Sequence, residues 1–226
     1  MTTSASLANI ISCLRLIADE TKAKSMSAYM RNQFPFLGIP TPERRIAIRS
    51  LNLPKPSHDM LIEWVEHLWQ QPEREYVYTA IDLMKQHHQQ LSLIDLPWLQ
   101  SLVEQYSWWD SVDNLASLIS KLLKCAREQQ PHAQNIMDEW LIANNLWVRR
   151  TAMIHQLGWR LETDTDRLAR YALALATEKD FFIRKAIGWA LRDYARWHPQ
   201  WVIEFVNQHQ TQLAPLSVRE AMKHLS

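Results

Sequence analysis

Residues 182–194 read FIRKAIGWALRDY, with apolar side chains returning at steps of three and four and charged ones between them, the pattern of a helix with one buried face. Two other stretches align with it on a small residue: YVYTAIDLM (76–84) on Ala80 and WVRRTAMIHQL (147–157) on Ala152, matched to Ala186 here. Arg150 and Arg184 each stand two places before that residue. A fourth copy, WWDSVDNLASLI (108–119), fits when Asp113 takes the alanine's place. The anchors at 80, 113, 152 and 186 are then 33, 39 and 34 residues apart, about the length of a helix pair in a solenoid. Stacked pairs curve and leave a concave face suited to an extended partner.

The rest of the chain agrees. Glycine occurs only at Gly38, Gly158 and Gly188, so there is no phosphate-binding loop, no dinucleotide fingerprint and no nucleophile elbow. Hairpin turns also need residues that tolerate positive φ, and their scarcity favours helix throughout. Start signals recur: Thr41-Pro42-Glu43 as a cap and first-turn proline, Ser57 before HDMLIEWVEHLW, Pro72-Glu73 before REYVYTAIDLMKQ, and Pro131 opening HAQNIMDEWLI. About a dozen helices are expected, forming an all-α curved solenoid of antiparallel helix pairs as a single domain over 1–226.

With 226 residues, 47% hydrophobic content and eleven tryptophans, the chain is ordered and able to bury a substantial core. No window approaches the ~18 apolar residues of a membrane span, and MTTSASLANI has neither the basic start nor the cleavage site of a signal peptide; a cytoplasmic location is expected. Cys13 and Cys125 sit in apolar helical patterns and are expected as buried free thiols. The net charge of +1 is unevenly spread. Ser57 to Asp113 holds ten acids against Arg74 and Lys85, whereas Asn144 to Gln200 holds ten bases and six acids. Further bases gather at Lys22, Lys24, Arg31, Arg44 and Arg45. A cationic strip with acidic flanks suits a nucleic-acid backbone; an ordinary solvated surface accounts for the same counts, and composition alone leaves both open.

Residues 107–113, SWWDSVD, concentrate aromatic surface and acid. In a helix, Trp109 and Asp113 share a face and Asp110 lies on a neighbouring line. Trp108 is expected in the core and Asp110 is expected to cap or solvate the first turn, where acids favour the positive end of the helix dipole. An aromatic wall beside a fixed carboxylate, as Trp109 and Asp113 would make, is a receptor for positive charge.

SWWDSVD, together with YMRNQFPFLGIPTPERR (29–45), LPWLQSLVEQYSWW (96–109), NNLWVRRTAMI (144–154), DFFIRKAIGWALRDYA (180–195) and LAPLSVREAMKH (213–224), resembles the AlkD family of bacterial DNA alkylation repair glycosylases. The similarity keeps its order from Tyr29 to His224. It implies HEAT-like repeats that hold duplex DNA on the concave face and excise N3- and N7-alkylated purines, without the base flipping most glycosylases need. The family's cleft residues correspond to Trp109, Asp113, Arg150 and Trp189. Tyr29 and Thr41 match positions near the DNA, where they would touch the opposite strand; a packing phenol and an N-cap are equally open readings. Arg45, Arg149, Lys185 and Arg192 are expected backbone contacts.

The chemistry fits those residue types. An alkylated purine is already a cation and leaves without a general acid, so one carboxylate can serve where glycosidases acting on neutral sugars use a pair. Asp113 would stabilise the oxocarbenium character of the sugar, Trp109 and Trp189 would pack on sugar and backbone, and Arg150 would hold a phosphate. Three departures stand out: Pro40 replaces an expected polar residue, Arg149 replaces an expected glutamine, and Gly188 interrupts a helix at a cost of about 1 kcal/mol. The chain also ends at Ser226, short of the family's usual extent, which is expected to affect affinity only. His87-His88 and the other histidines show no metal-ligand spacing, so no metal or cofactor is expected, and a monomer bound to duplex DNA is. Two rival readings remain, a non-catalytic DNA-binding relative that recognises damaged or branched structure and a protein-binding scaffold. The second predicts no salt-dependent DNA affinity.

Overall fold

The structure, a computed structural model, describes residues 3–225. Among these, thirteen α-helices and four short 3-10 turns occur and no strand, so the fold is all-α. The chain divides after Ser92 into two compact units.

In the first unit α1 (Thr3–Leu16) buries Leu7, Ile10 and Leu14 on one stripe. α2 (Glu20–Tyr29) starts at Asp19, whose carboxylate accepts the N–H groups of Thr21 and Lys22. α3 (Thr41–Ser50) begins one residue earlier than the sequence suggests: Pro40 is its N-cap, its carbonyl accepting the Arg44 N–H at 3.0 Å, and Thr41 is the first helical residue with no capping role. α4 (His58–Trp69) is capped by Ser57 as expected and buries Leu61, Trp64, Val65, Leu68 and Trp69. α5 (Arg74–Gln86) follows across a four-residue link, so the two pack as an antiparallel pair. In the link between α2 and α3, the buried carboxylate of Glu75 on α5 accepts three consecutive N–H groups, those of Leu37, Gly38 and Ile39, at 2.8–3.0 Å. Gly38 has φ +85°, and a Cβ there would lie 2.0 Å from the Asp19 carbonyl.

The second unit comprises α6 (Leu96–Glu104), α7 (Trp109–Ala126), α8 (Ile136–Leu141), α9 (Leu146–Ile154), α10 (Thr165–Ala174), α11 (Phe181–Ala195), α12 (Pro199–Gln208) and α13 (Pro215–Met222). α9 is central, packed on α7, α8 and α11, and α13 lies against α11. Pro131 does not open the helix expected of it. The Gln134 carbonyl accepts from Arg167 Nη1 at 3.0 Å, residues Ala133–Asn135 tighten into a 3-10 turn, and α8 starts only at Ile136. Trp108, expected in the core, is a half-buried N-cap residue, and Asp110 lies in the first turn of α7 as expected but is buried there. Neither cysteine is fully buried: Cys13 is half-buried, and Cys125 is exposed because it falls in the last turn of α7, after the buried stripe ends at Leu123.

Gly188 is buried because α13 crosses α11 there; a Cβ would stand 2.5 Å from the Glu220 Cβ and 2.8 Å from the Ser217 carbonyl. Helix packing, not backbone freedom, explains this glycine.

A polar network ties α8, α9 and α10. His155 is buried; its Nδ1 donates to the Ala152 carbonyl at 2.6 Å and its Nε2 accepts from Gln134 Nε2 at 2.9 Å. Both nitrogens are satisfied only in the neutral ring, because a proton on Nε2 would oppose the amide N–H. Burial pushes the imidazole down to about 4 from its ordinary 6.5. The unfolded chain therefore binds this proton first, so the contribution is complete above pH 6.5 and is lost as pH falls toward 4. Urea unfolding is expected to show wild type losing about 2 kcal/mol more than His155→Gln between pH 7 and pH 5. Parallel pH profiles for the two proteins would remove His155 as the source.

Candidate functional site

α7, α9 and α11 converge in the second unit on a cavity of about 330 Å³. α7 supplies Trp109 and Asp113 from consecutive turns of one face, as their four-residue spacing requires. α9 supplies Arg150, and α11 supplies Phe181, Phe182, Lys185, Trp189 and Arg192. The first turn of α7 is fixed by an aromatic cluster: the Trp108 ring lies 5.7 Å from that of Trp147 and 5.1 Å from that of Phe182, and Trp147 and Phe182 are 4.9 Å apart. Three helices are thus locked together immediately behind the cavity.

Arg150 meets Asp113 with a two-pronged fork, Nε to Oδ1 and Nη2 to Oδ2, both at 2.8 Å. Its Nη1 donates to the Phe182 carbonyl at 2.5 Å, and its guanidinium carbon is 5.9 Å from the centre of the Trp189 ring. The arginine is 4% exposed, so its planar group acts as a bracket joining α7, α9 and α11. Asp113 keeps 18% of its side-chain surface exposed and faces the cavity. Burial pushes its carboxyl above the ordinary carboxylate range, with the Arg150 fork working against that and the nearby Asp110 adding to it. Asp110 is buried and is not part of the cavity wall, which gives a paired-carboxylate mechanism no geometry. Among the described residues no group of three His, Cys, Asp or Glu side chains converges where a metal ion could bind.

The family model for the DNA alkylation repair enzyme matches residues 10–225. The chain belongs to the DNA alkylation repair enzyme family. Its structure is similar to that of a protein from Enterococcus faecalis described as a predicted DNA alkylation repair enzyme, with 37% sequence identity and a TM-score of 0.84, over 92% of this chain and 97% of that one. It also resembles the fold of AlkD2 from Streptococcus mutans, at 19% identity and TM-score 0.54, over 74% and 80% of the two chains. No curated protein matches the chain.

Of the DNA contacts expected from the alkylation repair family, Lys185 and Arg192 line this cavity. Arg149 does not: it donates to the Ala143 and Asn144 carbonyls at 2.7 and 2.8 Å and pairs with Glu178 at 2.8 Å, which secures the turn before α9. Of the two adjacent arginines, Arg150 is the one facing the cavity. Tyr29, Thr41 and Arg45 belong to the first unit and are all exposed, at the end of α2 and on α3. Arg45 lies on the wall of a second cavity of about 600 Å³ with Arg44, Arg49, Asp82 and His87, and its fork grips Asp82 at 2.8 and 2.9 Å. Sequence reading missed Phe181 and Phe182. Their position one turn before the Arg184–Lys185 pair placed them in the same helix, but nothing local to them signals a cavity wall.

Proposed function

We propose that this chain is a DNA glycosylase that hydrolyses the N-glycosidic bond of N3- and N7-alkylated purines in duplex DNA. One observation carries the reading: a single carboxylate, Asp113, bracketed by Arg150 and facing a cavity with Trp109, Trp189 and two further cations on its wall. Alkylation at a ring nitrogen leaves the purine positively charged. When the bond from C1′ to the base breaks, its electron pair neutralises the base, which departs without being protonated. The positive charge moves to the deoxyribose, where Asp113 stabilises it electrostatically. Water then adds to C1′, giving its proton to Asp113 or solvent and leaving an abasic sugar and free base. The electrophile is the substrate itself, so neither metal nor cofactor is required.

The other residues follow from that role. Trp109 and Trp189 offer apolar faces to the sugar and backbone and attract the cationic centre, each by roughly 0.5–2 kcal/mol. Arg150 orients the Asp113 carboxylate, and its unspent N–H groups are left for an adjacent phosphate. Lys185 and Arg192 meet the backbone, and Tyr29, Thr41 and Arg45 contribute DNA contacts from the first unit. The lesion is attacked at its sugar, so it need not be turned into a base pocket. The family match over 10–225 crosses both units, which supports one functional domain over 1–226; the chain acts on DNA as a monomer in this reading.

The test is incubation with duplex DNA carrying N7-methylguanine, with free base separated and quantified. Release of 7-methylguanine above the uncatalysed rate is expected. Salt-dependent binding without release would replace this reading with that of a non-catalytic DNA-binding relative.

A further inference from the structure

α13 approaches α11 through the notch at Gly188, where Ser217 also donates its hydroxyl to the Arg184 carbonyl at 2.9 Å. Glu220 is seated in that notch. One carboxylate oxygen takes Lys185 Nζ at 2.9 Å and the other takes Arg192 Nη1 at 2.6 Å. Lys185 and Arg192 stand three residues before and four after Gly188, so a single carboxylate placed against the glycine reaches both. Both cations line the Asp113 cavity on the wall that carries Trp189, whereas Glu220 lines a different pocket with Arg219 and Lys223. The Lys185 hydrogen bond, against burial and helped by Arg192, holds the Glu220 carboxyl below its ordinary range.

We propose that Glu220 is a positioning residue that clamps Lys185 and Arg192 into a fixed two-cation rim for a DNA phosphate beside Trp189. The proposal rests on the DNA-binding reading given above and deepens it. Lysine and arginine side chains lose much rotamer freedom when they engage an anion. Fixing them during folding removes that cost from binding. The notch, the two ion pairs and the location of both cations on one cavity wall together form a device with a purpose beyond helix packing, which an apolar residue at 220 would serve as well.

Positioning and simple charge counting make opposite predictions. Removing a negative charge from a DNA-binding wall should tighten binding if only net charge matters. If Glu220 positions the rim, Glu220→Gln weakens binding to unmodified duplex about tenfold, and the slope of log affinity against log salt becomes shallower by about one as a phosphate contact is lost. Glu220→Asp, which retains the charge but is too short to span both cations, behaves in the same way. Base release by Glu220→Gln needs more protein to saturate but keeps its saturated single-turnover rate within about twofold. Should Glu220→Gln fold poorly, the comparison moves to the Lys185→Gln/Arg192→Gln background, where adding Glu220→Gln leaves DNA affinity unchanged. A further loss there assigns Glu220 to packing alone and overturns the proposal. Equal or tighter binding by Glu220→Gln with the wild-type salt slope overturns it as well. A wild type that does not bind duplex DNA removes the functional reading itself, and the rim with it.

Discussion

Asp113→Asn is expected to lower the saturated rate of base release from N7-methylguanine duplex by about 100- to 1000-fold, the usual consequence of removing one group aimed at transition-state charge. Asparagine has nearly the shape of aspartate and still offers Arg150 one acceptor, so the bracket to the Phe182 carbonyl and the cavity wall persist. What disappears is the negative charge facing the cavity. The same substitution leaves the buried Arg150 beside a neutral partner, and breaking a buried pair costs up to about 3–5 kcal/mol of stability. Rates must therefore be taken well below the variant's melting temperature, with duplex affinity measured alongside. A variant that binds DNA, remains folded and releases base at the wild-type rate would end the single-carboxylate mechanism. The pH profile gives a second view. Burial lifts the Asp113 carboxyl, so the enzyme-dependent rate should begin to fall on acidification above the ordinary carboxylate range, and the Asn variant should lack that limb.

How far sequence alone reaches depends on how local the determinant is. The all-α fold follows from scarce glycine and from stripes such as Leu61, Trp64, Val65 and Leu68, features contained within one helix. Trp109 and Asp113 are four residues apart, so helical geometry alone predicts the face they share. Arg150 is different. Its spacing cannot reveal that its fork closes on Asp113, 37 residues earlier, and on a backbone carbonyl of Phe182. Expected to hold a phosphate, it is found with most of its donors committed to the protein. Glu220 and Glu75 were invisible for the same reason: each is an acid in an ordinary amphipathic helix whose partners lie 28–38 residues away. Pro131 and Cys125 were misread because tertiary hydrogen bonds and the limits of packing overrode a local pattern.

Glu75→Gln is expected to cost about 3 kcal/mol in urea unfolding, a large loss for so small a change. The carboxylate is completely buried, and Oε1 accepts from Gly38 and Ile39 while Oε2 accepts from Leu37. A glutamine oxygen can replace Oε1 for two of the donors, but its NH₂ then faces the Leu37 N–H, donor against donor. One buried amide is left unsatisfied, at about 1–3 kcal/mol, and the remaining two bonds lose their charge assistance. Glu75→Ala strips all three donors and leaves a cavity, so its loss should be larger still. Hydrogen exchange locates the effect: the amides of Leu37, Gly38 and Ile39 should lose protection first, and near-wild-type protection there would refute this account. Because α3 starts two residues beyond Ile39, loosening this segment also frees the residues that carry Thr41 and Arg45. Glu75→Gln should therefore weaken DNA binding and lower the melting temperature, yet leave saturated base release close to wild type at low temperature. Asp113→Asn should retain binding and lose release, so the two variants separate the support of the DNA contacts from the chemistry at the sugar.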